Sequence, residues 1–279
     1  MTQHSLLYHA DFPGVAETQL ETQFPGSVAI FLQGAAGDLN PDAAAGDTVD
    51  MGTLLHDAVT AVIANNPDPL TGPIKTSYQE VLLPLDVYQQ GTTIDQKNEE
   101  TTVHTLLRQS YQHIVDAIPN SMNVYNRHAN QMIHAIDNYR LPDTEPLPLQ
   151  VWYFQAAKPV LLVATGGELV SGYGLVIRAQ AQAKVLNDAS HVWVTAYTNE
   201  VPGYIPSDGY LYYPYGSYEA GWYPGNIEGS FVADGSQFYY GQPSRLKPAV
   251  RDSYGTVLVK GVEQIVVSTV NSMVNAIAP

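Results

Sequence analysis

The stretch PVLLVATGGELVSGYGLVIRAQAQAKVLNDASHVWVTAYTNEVPGYIP, residues 159–206, decides the fold. Residues 159–164 are a short apolar, β-branched run, and Gly166-Gly167 ends it in a turn that delivers Glu168. Residues 169–186 read as a helix, and residues 192–198 as the next strand, which leads to Tyr204 in the loop PGYIP. Strand, turn, helix and strand in that order predict a parallel pair joined by a crossover helix, the unit of an α/β sheet. Glu168 and Tyr204 each stand where a strand gives way to a connection, the place where α/β sheets carry their chemistry. Taken alone, Glu168 also suits a carboxylate favoured by a helix N-terminal dipole, and Tyr204 an aromatic packed under a Pro-Gly turn.

Upstream, FLQGAAGDLNP (residues 31–41) has the same form. Residues 28–32 predict a short buried strand, Gly34 and Gly37 a tight turn, and Asp38 and Asn40 project from it. Asp38 suits a turn-forming side chain bonded to its own backbone or a partner that orients a ligand. A helix is expected over 49–65 with the apolar stripe Leu54, Leu55, Ala58, Val62 and Ile63, then an edge or hairpin strand over 75–87. Helices over 95–118, with Val103, Leu107, Tyr111, Ile114 and Ile118 on one face, and over 122–138 fold back on each other. A strand at 149–156 precedes the one at 159–164, and a helix over 253–277 closes the chain. The expected architecture is one α/β domain over 1–279, a mixed sheet flanked by helices. Nine of the 19 tyrosines fall between Tyr204 and Tyr240, with Trp222 among them, so a long Tyr-rich loop is expected at the site edge.

The formal net charge is −15 with only 12 Lys+Arg, which argues against nucleic acid or anionic membrane as partners. Charged residues make up 14% of the chain, and the polar uncharged surface this implies suits a protein at the cell exterior. There is no cysteine, so disulfides and thiolate chemistry are excluded. No apolar run reaches membrane-spanning length, and the N-terminus has no basic segment followed by an apolar one. The histidines form no local metal motif: His104 and His113 lie nine apart, His128 and His134 six apart.

Four segments in order, ADFPG (10–14), FLQGAAGDLNP, GGELVSGYGLVIR (166–178) and NEVPGYIPSDGYLYYPYGSYEAG (199–221), resemble the neutral/alkaline non-lysosomal ceramidases and their bacterial relatives. The match is weakest over 75–145. The resemblance implies a zinc ion held by two histidines, a glutamate and a tyrosine, the last two falling on Glu168 and Tyr204. It implies ligand-orienting or substrate-binding places for Asp38, Asn40, Tyr218 and Glu219. Where the ceramidases proper carry a serine considered as a nucleophile, this chain has Asn40. The family's histidine motifs should precede ADFPG, but the chain opens MTQHSLLYHADFPG, with His4 and His9 in neither. The implied catalytic domain is therefore N-terminally incomplete, its general base lies in the missing part, and the family's C-terminal β-sandwich is absent. The activity so implied is hydrolysis of an N-acyl, sphingolipid-like amide by metal-activated water, outside the cell or at its surface. Residues 1–8 would then contact another polypeptide, the missing part or an identical subunit. The alternative is a non-catalytic extracellular or self-assembling protein that keeps the fold.

Overall fold

The computed structural model describes residues 8–42, 46–87, 96–138, 140–212, 216–221, 232–233 and 235–279. In chain order the elements are helices α1 (Asp11–Gln23) and α2 (Thr48–Ala64), strand β1 (Ile74–Pro84) and helices α3 (Gln96–Ala117) and α4 (Val124–Asp137). Strands β2 (Thr144–Phe154), β3 (Val160–Thr165) and β4 (Glu168–Leu169) lead to helix α5 (Ser171–Ala181), then strands β5 (Val192–Thr195) and β6 (Tyr204–Ile205). The short helices α6 (Asp208–Leu211) and α7 (Gly235–Tyr239), strands β7 (Val250–Arg251) and β8 (Val257–Val259), and helix α8 (Val262–Ile277) complete the chain.

The main sheet has the order β1-β2-β3-β5. β1 pairs antiparallel with β2 from Ile74↔Phe154 to Pro84↔Thr144, and β2 pairs antiparallel with β3. β3 and β5 are parallel, Leu161↔Val192 to Ala164↔Thr195, with α5 as their crossover. The α/β fold with a mixed sheet is therefore the one the sequence predicts. One face of the sheet is sealed by α8, whose Val262, Val266, Val270, Met273 and Val274 recur at helical spacing and are buried. They meet Leu147, Leu149, Val151, Leu161 and Val163, all fully buried. Each such side chain contributes about 1.5–3 kcal/mol through burial. α3 and α4 pack on each other as expected and bring Tyr111 and Met132 into the same core.

Several boundaries differ from the sequence expectation. β2 begins at Thr144 rather than 149, running through Pro146 and Pro148. The prolines are tolerated because β3 pairs only with residues from Leu149 onward, so neither N–H would have a ladder partner on that side. The predicted helix over 253–277 starts at Val262 instead. Residues 250–259 form the β7–β8 hairpin, where Gly255 has φ +83° and the Asp252 carboxylate accepts from the backbone N–H of Tyr254 and Thr256. α5 stops at Ala181 and passes into a 3₁₀ turn over 182–184 rather than reaching 186.

The largest departure is at residues 28–32. The predicted buried strand forms no strand and pairs with none in the sheet, and Val28, Ile30 and Leu32 are 78%, 76% and 52% exposed. The Glu21 and Glu17 carboxylates of α1 accept from the backbone N–H of Ala29 and Phe31, and the Phe31 ring meets Phe12 edge-on. The segment is thereby held on the α1–α2 pair and joins the sheet only at Gly34, which bridges to Thr195. Of the α2 stripe, Leu54, Val62 and Ile63 are exposed and Leu55 is half-buried. Gly52 is the buried residue of α2, because a side chain there would meet Val15 of α1. Among the described residues no helix is long and apolar enough to cross a membrane. Residues 1–7, the Val103 side chain and the part of the Tyr-rich loop holding Trp222 lie outside the described residues.

Candidate functional site

Three turns converge beside the end of β3. β4 and β6 form a two-residue parallel ladder in which Glu168 lies directly opposite Tyr204. The Glu168 N–H donates to Gly203 O at 2.9 Å, and Gly167 N–H to Glu200 O at 2.9 Å, so the TGGE turn is tied along the whole approach to Tyr204. Gly167 sits at φ +70°, and a Cβ there would come within 2.6 Å of Ile205. The third turn arrives from Gly37, whose N–H donates to Leu169 O at 2.9 Å and whose absent side chain leaves room for the Glu168 carbonyl. The structure thus brings Glu168, Tyr204 and Asp38 to one sheet edge.

Phenols surround the Glu168 carboxylate. Its Oε2 accepts from Tyr197 Oη at 2.9 Å and Oε1 accepts from Tyr240, while Tyr204 lies opposite it across the β4–β6 ladder. Burial, and then the Glu168 charge, push the Tyr204 phenol far above its ordinary range. Tyr197 and Tyr240 are raised by burial and by their hydrogen bonds to Glu168. All three phenols are therefore protonated at neutral pH, and Tyr197 and Tyr240 donate to the carboxylate. Tyr218 sets its ring edge-on to Tyr204, centroids 5.4 Å apart, and is 43% exposed. Tyr197 has φ +56°, a conformation costly for so bulky a residue, and is held there by its N–H bond to Gly167 O.

Asp38 acts on the backbone beneath this cluster. It accepts from Ser171 N–H at 2.6 Å, Ser171 Oγ at 2.9 Å and Tyr210 Oη at 3.0 Å. Val170, the N-cap residue of α5, has no capping side chain, so Asp38 supplies the cap from 133 residues away. Burial works to raise the Asp38 carboxyl, but the hydrogen bonds from Ser171 and Tyr210 outweigh it and hold it below the usual range. The Tyr210 phenol is pushed up to about 12 by burial and then by Asp38. Glu219 is half-buried near enough to raise Tyr210 further, whereas Asn40 is exposed and has no hydrogen bond to the cluster.

Tyr240 reaches Glu168 from a strap that is itself anchored. Residues 242–247 run against the end of β1, with Asp86 N–H donating to Arg245 O at 2.7 Å and Lys247 N–H to Pro84 O at 2.8 Å. A buried ion pair closes this anchor: Arg245 Nε and an Nη both reach Asp86 Oδ2 at 2.9 Å.

Sequence reasoning singled out Glu168, Tyr204, Asp38, Asn40, Tyr218 and Glu219, of which Asn40 stands apart from the cluster, and missed Tyr197, Tyr240, Tyr210 and Ser171. The tyrosine enrichment between Tyr204 and Tyr240 is the signal that could have found two of these, Tyr210 and Tyr240. Tyr197 carries none, because its role follows from a backbone turn. His9 is exposed, its Nδ1 accepting from Asp11 N–H, and His4 lies outside the described residues. His56 bonds Asp57 and Gln23, and His191 bonds the Pro159 carbonyl. Among the described residues no three His, Cys, Asp or Glu side chains converge as a metal group. Compared with models of protein families, with curated proteins and with solved structures, the chain matches none.

The donor chemistry fits zinc in part. A carboxylate and a phenol in cross-strand register could offer two oxygen donors, whereas a hydrolytic zinc site takes three or four protein ligands with one open place. Tyr204 would have to give up its proton, which requires the charge of the metal.

Proposed function

We propose that this chain carries half of a zinc centre, Glu168 and Tyr204, in a hydrolase of N-acyl amides, with the remaining donors and the general base supplied by another polypeptide segment. The observation that supports it is the cross-strand register of Glu168 and Tyr204 at the edge where Asp38 also arrives. When bound, zinc would lower the pKa of a coordinated water to about 7 and polarise the amide carbonyl. The chain's own residues position that chemistry. Tyr197 and Tyr240 aim the two carboxylate oxygens of Glu168, and Asp38 fixes the corner between β4 and α5. The exposed ring of Tyr218 offers an apolar face to an acyl chain beside the ligands. The low charge content favours a place outside the cell or at its surface.

A second reading, a non-catalytic protein that assembles through its surface, is favoured by the exposed apolar residues 28–32. Zinc titration calorimetry on the wild-type chain, Glu168→Gln and Tyr204→Phe separates the two. The proposal expects zinc binding that is lost in both variants with little change in thermal stability, since loss of a phenol hydroxyl alone costs about 1 kcal/mol. Hydrolysis of a fluorogenic N-acyl amide by the completed protein should fall by orders of magnitude in the same variants. Zinc binding that persists unchanged in both variants would remove Glu168 and Tyr204 from the centre and leave the non-catalytic reading.

A further inference from the structure

We propose that residues 28–32 are an acceptor edge for one β-strand of a partner polypeptide, a strand that alternates apolar side chains and is flanked by lysine or arginine. The segment SVAIFLQ has strand chemistry, and its alternate N–H groups at Ala29 and Phe31 bond to one side as in an extended chain, but it belongs to no strand of the sheet. Its two edges differ. The N–H groups of Ala29 and Phe31 point toward α1 and are taken by Glu21 and Glu17. Those of Val28, Ile30 and Leu32 have no hydrogen-bond acceptor among the described residues. In an extended chain these alternate groups form a row on one side, about 13 Å from first to last, the template that strand addition uses.

The side chains give the same direction. Val28, Ile30 and Leu32 stand out on one face at 78%, 76% and 52% exposure, enough to seat alternate residues of an incoming strand. Beside them a groove of about 500 Å³ runs between α1 and α2, lined by Leu20, Phe24, Leu55 and Ile63. An acyl chain would fill that groove but leave the backbone row unused, which favours a polypeptide occupant. Charge selects among polypeptides. Between Met1 and Ile74 there is no lysine or arginine, against nine aspartates and glutamates. Two copies meeting at this face would bring like charge together, whereas a strand with basic flanks is drawn to it.

The inference is independent of the zinc reading, because it requires neither metal nor hydrolysis, and either can fail alone. The test is titration of the chain with a panel of peptides of about eight residues, with alternating Val, Ile, Leu or Phe between lysine flanks. The same peptides N-methylated along one edge serve as the hydrogen-bond control. Expected are saturable binding that weakens with added salt, slowed hydrogen exchange at Ile30 and Leu32, and loss of binding with the N-methylated peptides. Ile30→Asp, at a position exposed enough to leave the fold intact, should bind at least about tenfold more weakly, with an unchanged melting temperature as the control. Absence of binding across the panel, or binding indifferent to both N-methylation and Ile30→Asp, overturns the proposal. Sedimentation showing a wild-type dimer that Ile30→Asp dissociates overturns it in favour of a second copy.

Discussion

Replacing Arg245 with methionine tests whether the Tyr240 strap is held by the buried ion pair. Asp86 is 2% and Arg245 7% exposed, and the Asp86 Oδ1 atom has no hydrogen-bond partner among the described residues. Arg245 also donates Nη1–H to the Leu211 carbonyl at 2.9 Å, joining α6 to the same anchor. Burial raises the Asp86 carboxyl above its ordinary value in spite of Arg245, and burial lowers Arg245 in spite of Asp86. Both shifts disfavour charge, so the pair as a whole adds little net stability, while removal of one partner leaves an uncompensated buried carboxylate. That loss is about 3–5 kcal/mol. For a chain of this size it corresponds to a fall in Tm of roughly 6–15 °C, at about 2–3 °C per kcal/mol. Without the guanidinium, burial moves Asp86 higher still. A carboxyl raised in the folded state favours folding below its unfolded value near 3.9 and loses that contribution as pH rises through the folded value. The Arg245→Met deficit should therefore be full at pH 8 and shrink on acidification as Asp86 takes up its proton. Urea unfolding followed by circular dichroism at pH 8 and pH 5 measures both effects. The double change Asp86→Leu, Arg245→Met should recover most of the deficit, because no charge is then stranded. A single-variant loss below about 1 kcal/mol at pH 8, or a double variant worse than the single one, would refute the assignment.

Two further outcomes follow from groups near the site. Asp38→Ala removes the cap of α5 and the Tyr210 bond and should cost about 1–2 kcal/mol; because Asp38 is lowered in the fold, this contribution is present above about pH 3.9 and lost as pH falls through the folded value, so thermal melts of wild type and variant should converge in acid. His128 is buried against Tyr111 and Phe238, bonds the Gln242 carbonyl at 3.1 Å, and is held below its ordinary value by burial. Its contribution is present above about pH 6.5 and lost as pH falls through the folded value, so urea midpoints of His128→Gln should be flatter than wild type below pH 6.5.

The parts of the fold legible in the sequence are those whose signal is local. The apolar run of β3, the glycines after it and the helix that follows identify the parallel pair without reference to anything distant. Residues 28–32 give the same local signal as β3, yet stand exposed, because a strand's burial depends on a neighbour its own residues do not specify. β2 reaches back from the expected 149 to Thr144 through Pro146 and Pro148, whose missing N–H groups matter only where a ladder exists on that side. In the site, Glu168 and Tyr204 were legible from their turns. The phenols that aim Glu168 come from 29 and 72 residues away, and the serine capped by Asp38 from 133. Nothing in the spacing of tyrosines marks which of them will meet a carboxylate.

The parallel ladder of β4 and β6 has a consequence for how the chain can vary. Side chains along a strand alternate between faces, so the connection that returns from β5 to Tyr204 must arrive with the correct parity as well as the correct reach. Tyr197 and Asn199 at φ +56° and +69° and Gly203 at φ +154° spend most of that connection on tight reversals, with no slack to absorb an added residue. A single insertion or deletion between Thr198 and Gly203 would turn the Tyr204 phenol to the opposite face while leaving the four-stranded sheet untouched. Natural relatives that retain this oxygen pair should therefore keep the length of that connection and a glycine at position 203.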